Sequence, residues 1–190
     1  MARALRLGIT LMVVGAVAAF GLGLTYAATR KRIKAYEREV EAKACLNAMP
    51  GVDSPAELKE EQKLEKELGG KKDNTEIQKV FSCEGGYILS VQTKGYGGPL
   101  VIAVGIGKDG KVLGVSSVSS KETMGVGSRV LEPSFLGKYK GKSASDPLEV
   151  GRDVQGVTGA TITSKAATAA VKAAVEAYRK ISKGSGGRGN

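Results

Sequence analysis

The chain has 190 residues, enough for about one domain, and it contains no histidine and no tryptophan, whereas 27 residues are glycine. Without histidine it has no Ser-His-Asp or Cys-His relay, no histidine metal ligand and no imidazole that titrates near neutral pH, which excludes much hydrolase and metalloenzyme chemistry. The net charge of +10 indicates an anionic partner: nucleic acid, a lipid surface or a charged cofactor.

The first predicted element is a membrane-spanning helix. Residues 7–29 contain no charged side chain, and an α-helix of that length, at ~1.5 Å per residue, crosses the ~30 Å hydrocarbon layer of a bilayer. A cleavable secretory signal is the alternative, because residues 25–27 (TYA) resemble a cleavage site. The apolar core of a signal is usually only ~7–15 residues long. We therefore predict a retained anchor over residues 1–29.

Residues 30–74 are predicted to form a membrane-proximal helical segment. Apolar residues recur at helical spacing over residues 33–44, which would continue the anchor as far as the Pro-Gly pair at residues 50–51. Residues 54–72 open with Ser-Pro and are dense in Glu and Lys, which predicts a second, solvated helix.

The pattern then changes to that of a sheet. Four strands are predicted, at residues 77–83, 87–93, 100–106 and 112–118. Asp109 and Gly110 predict a hairpin turn between the last two. Residues 105–110 also match the GxGxxG fingerprint of dinucleotide-binding folds, but that fingerprint requires a following helix, and a strand pattern follows here.

An amphipathic helix over residues 163–182, with one face of small residues, is the last predicted element. The predicted fold class is therefore α+β: an antiparallel sheet flanked by helices and preceded by a single N-terminal transmembrane helix. Residues 75–182 would form the folded domain, and residues 183–190 (KGSGGRGN) a flexible tail.

A hydroxyl-rich string, residues 158–164 (TGATITS), stands at the entrance to that last helix. Helix N-termini carry unpaired N–H groups and the positive end of the helix dipole, so such a turn suits a phosphate group. The alternative is an ordinary helix cap, for which Ser and Thr are preferred residues.

The string resembles the flavinylation motif of the FMN-binding domain family, Asp-x-x-(Ser/Thr)-Gly-Ala-Thr, whose last threonine carries FMN through a phosphoester. Thr161 occupies that position. Residues 95–100 (GYGGPL) resemble the family's GYGGP segment, and residues 121–127 (KETMGVG) resemble its ETPGLG loop, with methionine in place of proline. Gln155 stands where the motif has aspartate, and the nearest acid is Asp153.

The resemblance implies covalent FMN on Thr161 and FMN contacts from all three motifs, with no catalytic residue and no metal ligand. The implied contacts are Tyr96, Gly97, Gly98, Glu122, Thr123, Gly125, Gly127, Thr158, Gly159, Ala160, Ile162, Thr163 and Ser164. A flavin ring is wide and planar, so we also expect Gly95 and the glycines among these contacts to let backbone approach its face.

The overall plan, one transmembrane helix followed by an FMN domain, is similar to that of two groups of subunits. These are the G subunits of Rnf electron-transport complexes and the C subunits of sodium-pumping NADH:quinone reductases. The length favours the first group, which implies an electron-transfer subunit of an ion-translocating ferredoxin:NAD⁺ oxidoreductase. The rival hypothesis from another class is a membrane-anchored basic binding module without flavin.

Partners and location follow from the same resemblance. The implied partners are the other membrane and peripheral Rnf subunits, a flavin transferase and the lipid membrane, and no nucleic acid. The implied location is the prokaryotic cell membrane, with the C-terminal domain on the extracytoplasmic side. The charge pattern opposes that orientation, because basic residues are more numerous after the span than before it.

Two cysteines, Cys45 and Cys83, are 38 positions apart and form no CxxC pair. A ferredoxin-type cluster needs four cysteine ligands, so this chain alone does not hold one. A disulfide between them and a pair of free thiols are both compatible with the sequence.

Overall fold

A computed structural model describes residues 2–70 and 74–185. The chain divides into two units, Met1–Val40 and Glu41–Asn190. The first unit consists of most of a long helix, α1 (Ala2–Ala48), and the second contains the last residues of α1 together with all later elements.

The two cysteines are free thiols, with Cys45 buried and Cys83 half-buried.

The α1 helix confirms the predicted continuation of the anchor beyond its apolar residues. Within the described part of the chain, one helical stretch, Arg6–Ala48, is long and apolar enough to cross a membrane. The side chains of residues 6–30 are exposed, as expected for a helix whose apolar surface meets lipid. The helix ends at Ala48, and Gly51 then adopts a φ of +95°, which turns the chain.

Five antiparallel strands form one sheet in the order in which they occur along the chain. They are β1 (Lys59–Glu60), β2 (Thr75–Cys83), β3 (Gly86–Lys94), β4 (Pro99–Gly107) and β5 (Val112–Ser120). The four predicted strands are confirmed and extend by one or two residues. A hairpin turn joins β4 to β5, in which the Gly110 N–H donates to the Gly107 carbonyl at 2.9 Å. The GxGxxG match is thus the end of a strand and the turn that follows it.

The single helix predicted over residues 54–72 is wrong. Within residues 54–70, Pro55–Glu57 is a short 3₁₀ helix, β1 follows, and only α2 (Gln62–Leu68) is α-helical; residues 71 and 72 lie outside the described residues. Strand β1 pairs with β2 at Lys59 and Glu60, so an existing sheet edge sets the backbone there in place of local helix propensity.

One face of the sheet is covered by α4 (Thr161–Ser185), which confirms the predicted amphipathic helix and adds a few residues at its two ends. Its small residues Ala167, Ala170 and Ala174 are fully buried in the larger hydrophobic cluster, with Leu89 and Val91 of β3. Residues 183–185 of the predicted tail continue α4, and residues 186–190 lie outside the described residues.

The connection from β5 to α4 contains α3 (Pro133–Leu136) between two 3₁₀ helices, Gly127–Leu131 and Gly137–Tyr139. Tyr139 is fully buried, and its hydroxyl lies 2.7 Å from the Thr168 hydroxyl on α4. Burial raises the pKa of Tyr139 to about 12. This hydrogen bond joins the connection to the helix.

The other face of the sheet carries a smaller hydrophobic cluster, to which the last turns of α1 contribute Ala44, Cys45 and Ala48. Gly105 of β4 and Gly114 of β5 are register partners beneath Ala48. A methyl group at Gly105 would overlap the Ala48 carbonyl oxygen, and one at Gly114 would lie 2.7 Å from it. Glu41 and Lys79 form an ion pair. The end of α1 is therefore part of the folded domain.

Candidate functional site

A cavity of about 480 Å³ opens where the β3–β4 turn, the loop after β5 and the start of α4 meet. Its volume lies within the ~300–1,000 Å³ typical of small-molecule sites. The lining residues are Tyr96, Glu122, Thr123, Val126, Gly127, Gly159, Ala160, Thr161, Ile162 and Thr163. Three sequence motifs that are far apart in the chain therefore supply the walls of one site.

A tight turn presents Thr161 to this cavity. The Ala160 N–H donates to the Val157 carbonyl at 3.0 Å, and Gly159, the third residue of the turn, has a φ of +82°. A turn with a positive φ at its third position favours glycine there. Ser164 secures the turn, because its buried hydroxyl accepts from the Val157 N–H at 3.1 Å. Thr161 follows as the first, exposed residue of α4.

The first turn of α4 provides donors for an anion. The helical hydrogen bonds begin with the Ser164 N–H, which donates to the Ala160 carbonyl at 2.9 Å. The N–H groups of Thr161, Ile162 and Thr163 precede that bond, and the positive end of the helix dipole lies with them. Thr163 is 1% exposed, and its hydroxyl oxygen is buried without a hydrogen-bond partner. A buried hydroxyl in this state is stabilised by a ligand that accepts its proton.

Glu122 lines another side of the cavity, and its carboxylate lies next to three glycines. Its Oε2 accepts from the Gly97 N–H at 3.3 Å, whereas its Oε1 is buried without a partner. A methyl group at Gly95 would overlap Oε1, and one at Gly127 would overlap Oε2. These two glycines therefore leave room for the carboxylate.

Several glycines of the two loops have a role within the protein itself. Gly95 and Gly127 accommodate Glu122, and a methyl group at Gly97 would overlap the Lys121 carbonyl oxygen. Gly125 has a φ of +78° in a turn that the Ser128 hydroxyl closes by accepting from the Gly125 N–H at 2.9 Å. Gly95, Gly97 and Gly127 therefore leave room for the protein's own loops, whereas Gly125 supplies a positive φ that favours glycine.

The mouth of the cavity is apolar. Outside α1, the large hydrophobic side chains that are exposed among the described residues all come from the cavity wall and its loops. They are Tyr96 (73% exposed), Met124 (86%), Val126 (47%) and Ile162 (55%). Apolar side chains gathered at one opening mark a binding surface for a ligand or a partner.

The cavity wall includes nine of the fourteen predicted site residues, and Val126 in addition. Sequence reasoning missed Val126, although its position between Gly125 and Gly127 in the recognised loop was a signal for it. The five predicted residues outside the wall lie in the adjoining turns or behind them: Gly97, Gly98, Gly125, Thr158 and Ser164.

Gly127 and Ser164 show that some predicted residues line the cavity and others support its wall from behind. Gly127 lies in the wall, next to the Glu122 carboxylate. Ser164 is fully buried behind the wall and secures the turn that carries Thr161. The predicted residues therefore comprise a wall and the backbone that shapes it.

Asp153, the acid nearest to the missing motif aspartate, forms hydrogen bonds with nearby backbone and with Lys142. Its carboxylate accepts from the Glu149 N–H at 2.7 Å, from the Leu148 N–H at 3.2 Å and from the Lys142 ammonium at 2.9 Å. Burial acts to raise its pKa, but the hydrogen bond from Glu149 and those from Lys142 and Leu148 outweigh it and leave the pKa lowered. The side chain of Asp153 thus organises residues 148–153, while Gln155 is exposed.

Replacing Asp153 by asparagine is expected to destabilise the chain by about 2 kcal/mol at neutral pH, because hydrogen bonds to a charged group are lost. A carboxylate with a lowered pKa contributes stability above its ordinary value of 3.8 and loses it as the pH falls through the lowered value. The difference between Asp153→Asn and the natural chain should therefore shrink between pH 7 and pH 3 in thermal unfolding of the full chain. Asp53→Asn, at an exposed position, is the control. A difference that grows toward acid would contradict this explanation.

The fold and the site together define a class of protein: a small α+β domain that follows an apolar N-terminal helix and holds a ligand cavity at a helix N-terminus. Residues 95–176 match the FMN-binding domain family. These residues contain all three motifs that line the cavity.

Three curated relatives extend the similarity. The chain is 44% identical over 115 residues to the G subunit of the proton-translocating ferredoxin:NAD⁺ oxidoreductase complex of Clostridium ljungdahlii, covering 57% of this chain and 61% of that protein. It is 30% identical to the G subunit of the Na⁺-translocating ferredoxin:NAD⁺ oxidoreductase complex of Acetobacterium woodii, covering 94% and 93%. It is 26% identical to the G subunit of an ion-translocating oxidoreductase complex of Methanosarcina acetivorans, covering 88% and 90%. The chain belongs to this family of FMN-binding G subunits.

The residues of the cavity fit FMN. The unpartnered Thr163 hydroxyl and the first N–H groups of α4 are donors, as a phosphate requires. The unpartnered Glu122 Oε1 is an acceptor, as the ring N–H and the ribityl hydroxyls require. Tyr96, Val126 and Ile162 offer apolar surface to a planar ring.

Proposed function

We propose that this chain is the electron-transfer subunit of an ion-translocating ferredoxin:NAD⁺ oxidoreductase complex and that it carries FMN covalently on Thr161. One observation supports the proposal above all. The cavity places an exposed threonine of the family motif beside a buried, unpartnered hydroxyl at the start of a 25-residue helix, with an apolar mouth above them.

FMN supplies the electron chemistry, and the chain positions it. The Thr161 oxygen would carry the phosphate as an ester, which keeps one negative charge. The Thr163 hydroxyl would donate a hydrogen bond to that phosphate, and the first N–H groups of α4 would stabilise the same charge. Tyr96, Val126 and Ile162 line the cavity and would offer the ring an apolar surface.

The names of the relatives support the complex. They describe G subunits of ferredoxin:NAD⁺ oxidoreductases, one translocating protons and one sodium ions. The other subunits of such a complex are the partners of this chain, and a flavin transferase is the partner that attaches FMN. The relatives named above are G subunits and not C subunits of a quinone reductase, and the match to the FMN-binding domain family argues against a flavin-free basic module.

Activity of the whole complex tests the function. In membranes from cells that lack this chain, the natural chain should restore ferredoxin-dependent reduction of NAD⁺, whereas Thr161→Ala should restore less than about a tenth of it, because without FMN the relay is interrupted. Immunoblots of the other subunits control for assembly. Equal restoration by both chains in fully assembled complexes would refute a relay through Thr161.

The side of the membrane is a separate part of the proposal. The apolar helix and the membrane-complex relatives fit a membrane protein. The family resemblance implies that residues 41–190 are extracytoplasmic, in the bacterial case beyond the inner membrane. The basic residues at positions 30, 31, 32 and 34 argue for the opposite orientation, although Glu37, Glu39 and Glu41 follow closely.

Protease treatment of spheroplasts tests the orientation. We expect cleavage of residues 41–190 from outside, with a cytoplasmic marker protein left intact. Protection in spheroplasts, with cleavage only after lysis, would place the domain in the cytoplasm.

A further inference from the structure

Glu122 is unusual because its surroundings are built to keep a carboxylate at the cavity wall. A methyl group at Gly95 would overlap Oε1, and one at Gly127 would overlap Oε2, so these two glycines leave space for the carboxylate. The Gly97 N–H holds Oε2 at 3.3 Å, and Oε1 is buried at the cavity without a protein partner. A side chain placed only to fill space would not leave a buried oxygen in this state, because burying an unpaired polar atom costs free energy.

The surroundings of this carboxylate do not neutralise it. The hydrogen bond and the close contacts described for it come from glycine backbone and from its own loop, and among the described residues no ion pair to it is seen. Its charge is therefore directed at the occupant of the cavity, and partial burial strengthens that interaction relative to water.

We propose that Glu122 is a positioning and potential-setting residue for the flavin: it accepts a hydrogen bond from FMN through Oε1 and, by its negative charge, lowers the midpoint potential of the bound flavin. This inference rests on the proposed function, because it assumes FMN in this cavity. The physical reason is that reduction adds electrons to the ring, and a fixed negative charge nearby disfavours any reduced form that bears negative charge.

The test is a potentiometric titration of flavin absorbance in the purified full chain, produced together with a flavin transferase. Glu122→Gln keeps the size and an acceptor oxygen but removes the charge, so the midpoint potential should rise. The matched control is Glu84→Gln, which removes an exposed charge in the β2–β3 turn, at the other end of β3 from Tyr96. The control should keep the natural potential.

A second variant moves the carboxylate without removing its charge. Gly95→Ala would force Oε1 away from its position, so its flavin potential should differ from that of the natural chain. Gly137→Ala, where a methyl group meets open space, should leave the potential unchanged. If Glu122→Gln is recovered without flavin, the midpoint potentials of Gly95→Ala and Gly137→Ala test the role of Glu122 instead.

The two possible failures are distinguishable. A natural chain that carries no flavin would refute the proposed function. A natural chain that carries flavin, with the same midpoint potential in Glu122→Gln, Gly95→Ala and both controls, would overturn only the role of Glu122.

Discussion

Thr161→Ala is expected to give a folded chain without covalent FMN. The hydroxyl of Thr161 is the oxygen that would carry the phosphate, and alanine has none. Thr161 is exposed at the start of α4, so its side chain contributes little to the core. In a denaturing gel of chains produced with a flavin transferase, the natural chain should fluoresce as a flavoprotein, and Thr161→Ala should show almost none of that signal.

Thr161→Ser is the matched control, because it keeps a hydroxyl at the same position. It should restore flavin fluorescence. The thermal unfolding midpoints of Thr161→Ala and Thr161→Ser, both measured without FMN, should agree within about 2 °C, since neither change touches the core. Undiminished fluorescence of Thr161→Ala would show that another residue carries the flavin.

Gly105→Ala should cause a large loss of stability among single substitutions in the folded domain. A methyl group at this position would overlap the carbonyl oxygen of Ala48 and lie 2.8 Å from its carbon. Both atoms belong to the backbone of α1, which cannot rotate away as a side chain can, so the end of α1 must shift from the sheet. Overpacking of this kind costs about 1–3 kcal/mol or more, and it should lower the thermal unfolding midpoint of the full chain by roughly 5–10 °C.

Gly137→Ala is the control for the general effect of adding a methyl group. Gly137 has a helical φ of −61°, and nothing lies within 4 Å of the added atom. Its thermal unfolding midpoint should stay within about 2 °C of the natural chain or rise slightly, because alanine restricts the unfolded chain. If Gly105→Ala unfolds at the same temperature as Gly137→Ala, then α1 does not pack on β4 as described.

The four long strands were predictable because apolar, β-branched runs bounded by glycine-rich turns are a local property of the sequence. In β3, Ile88 enters the smaller cluster and Leu89 and Val91 the larger one, so the strand is buried on both faces. The short strand β1 was not predictable, because its two charged residues, Lys59 and Glu60, become a strand only through pairing with β2.

The site shows the same division between local and long-range information. The turn at Thr158 and Gly159 could be anticipated from its residues, and its position before α4 indicated an anion site. The space that Gly95 and Gly127 leave for Glu122 could not be anticipated from the sequence. These three residues meet only after the β3–β4 turn and the loop after β5 fold against each other. The position of Gly105 beneath Ala48 depends likewise on contact between distant parts of the chain.

The covalent link is tested most directly by fragment-ion mass spectrometry of the tryptic peptide that spans residues 153–165 (DVQGVTGATITSK), from natural chain produced with a flavin transferase. That peptide contains four hydroxyl residues that the fragment series distinguishes: Thr158, Thr161, Thr163 and Ser164. We predict an added mass of FMN less one water, located on Thr161. An unmodified peptide, or the same mass on one of the other three residues, would contradict a covalent link at Thr161.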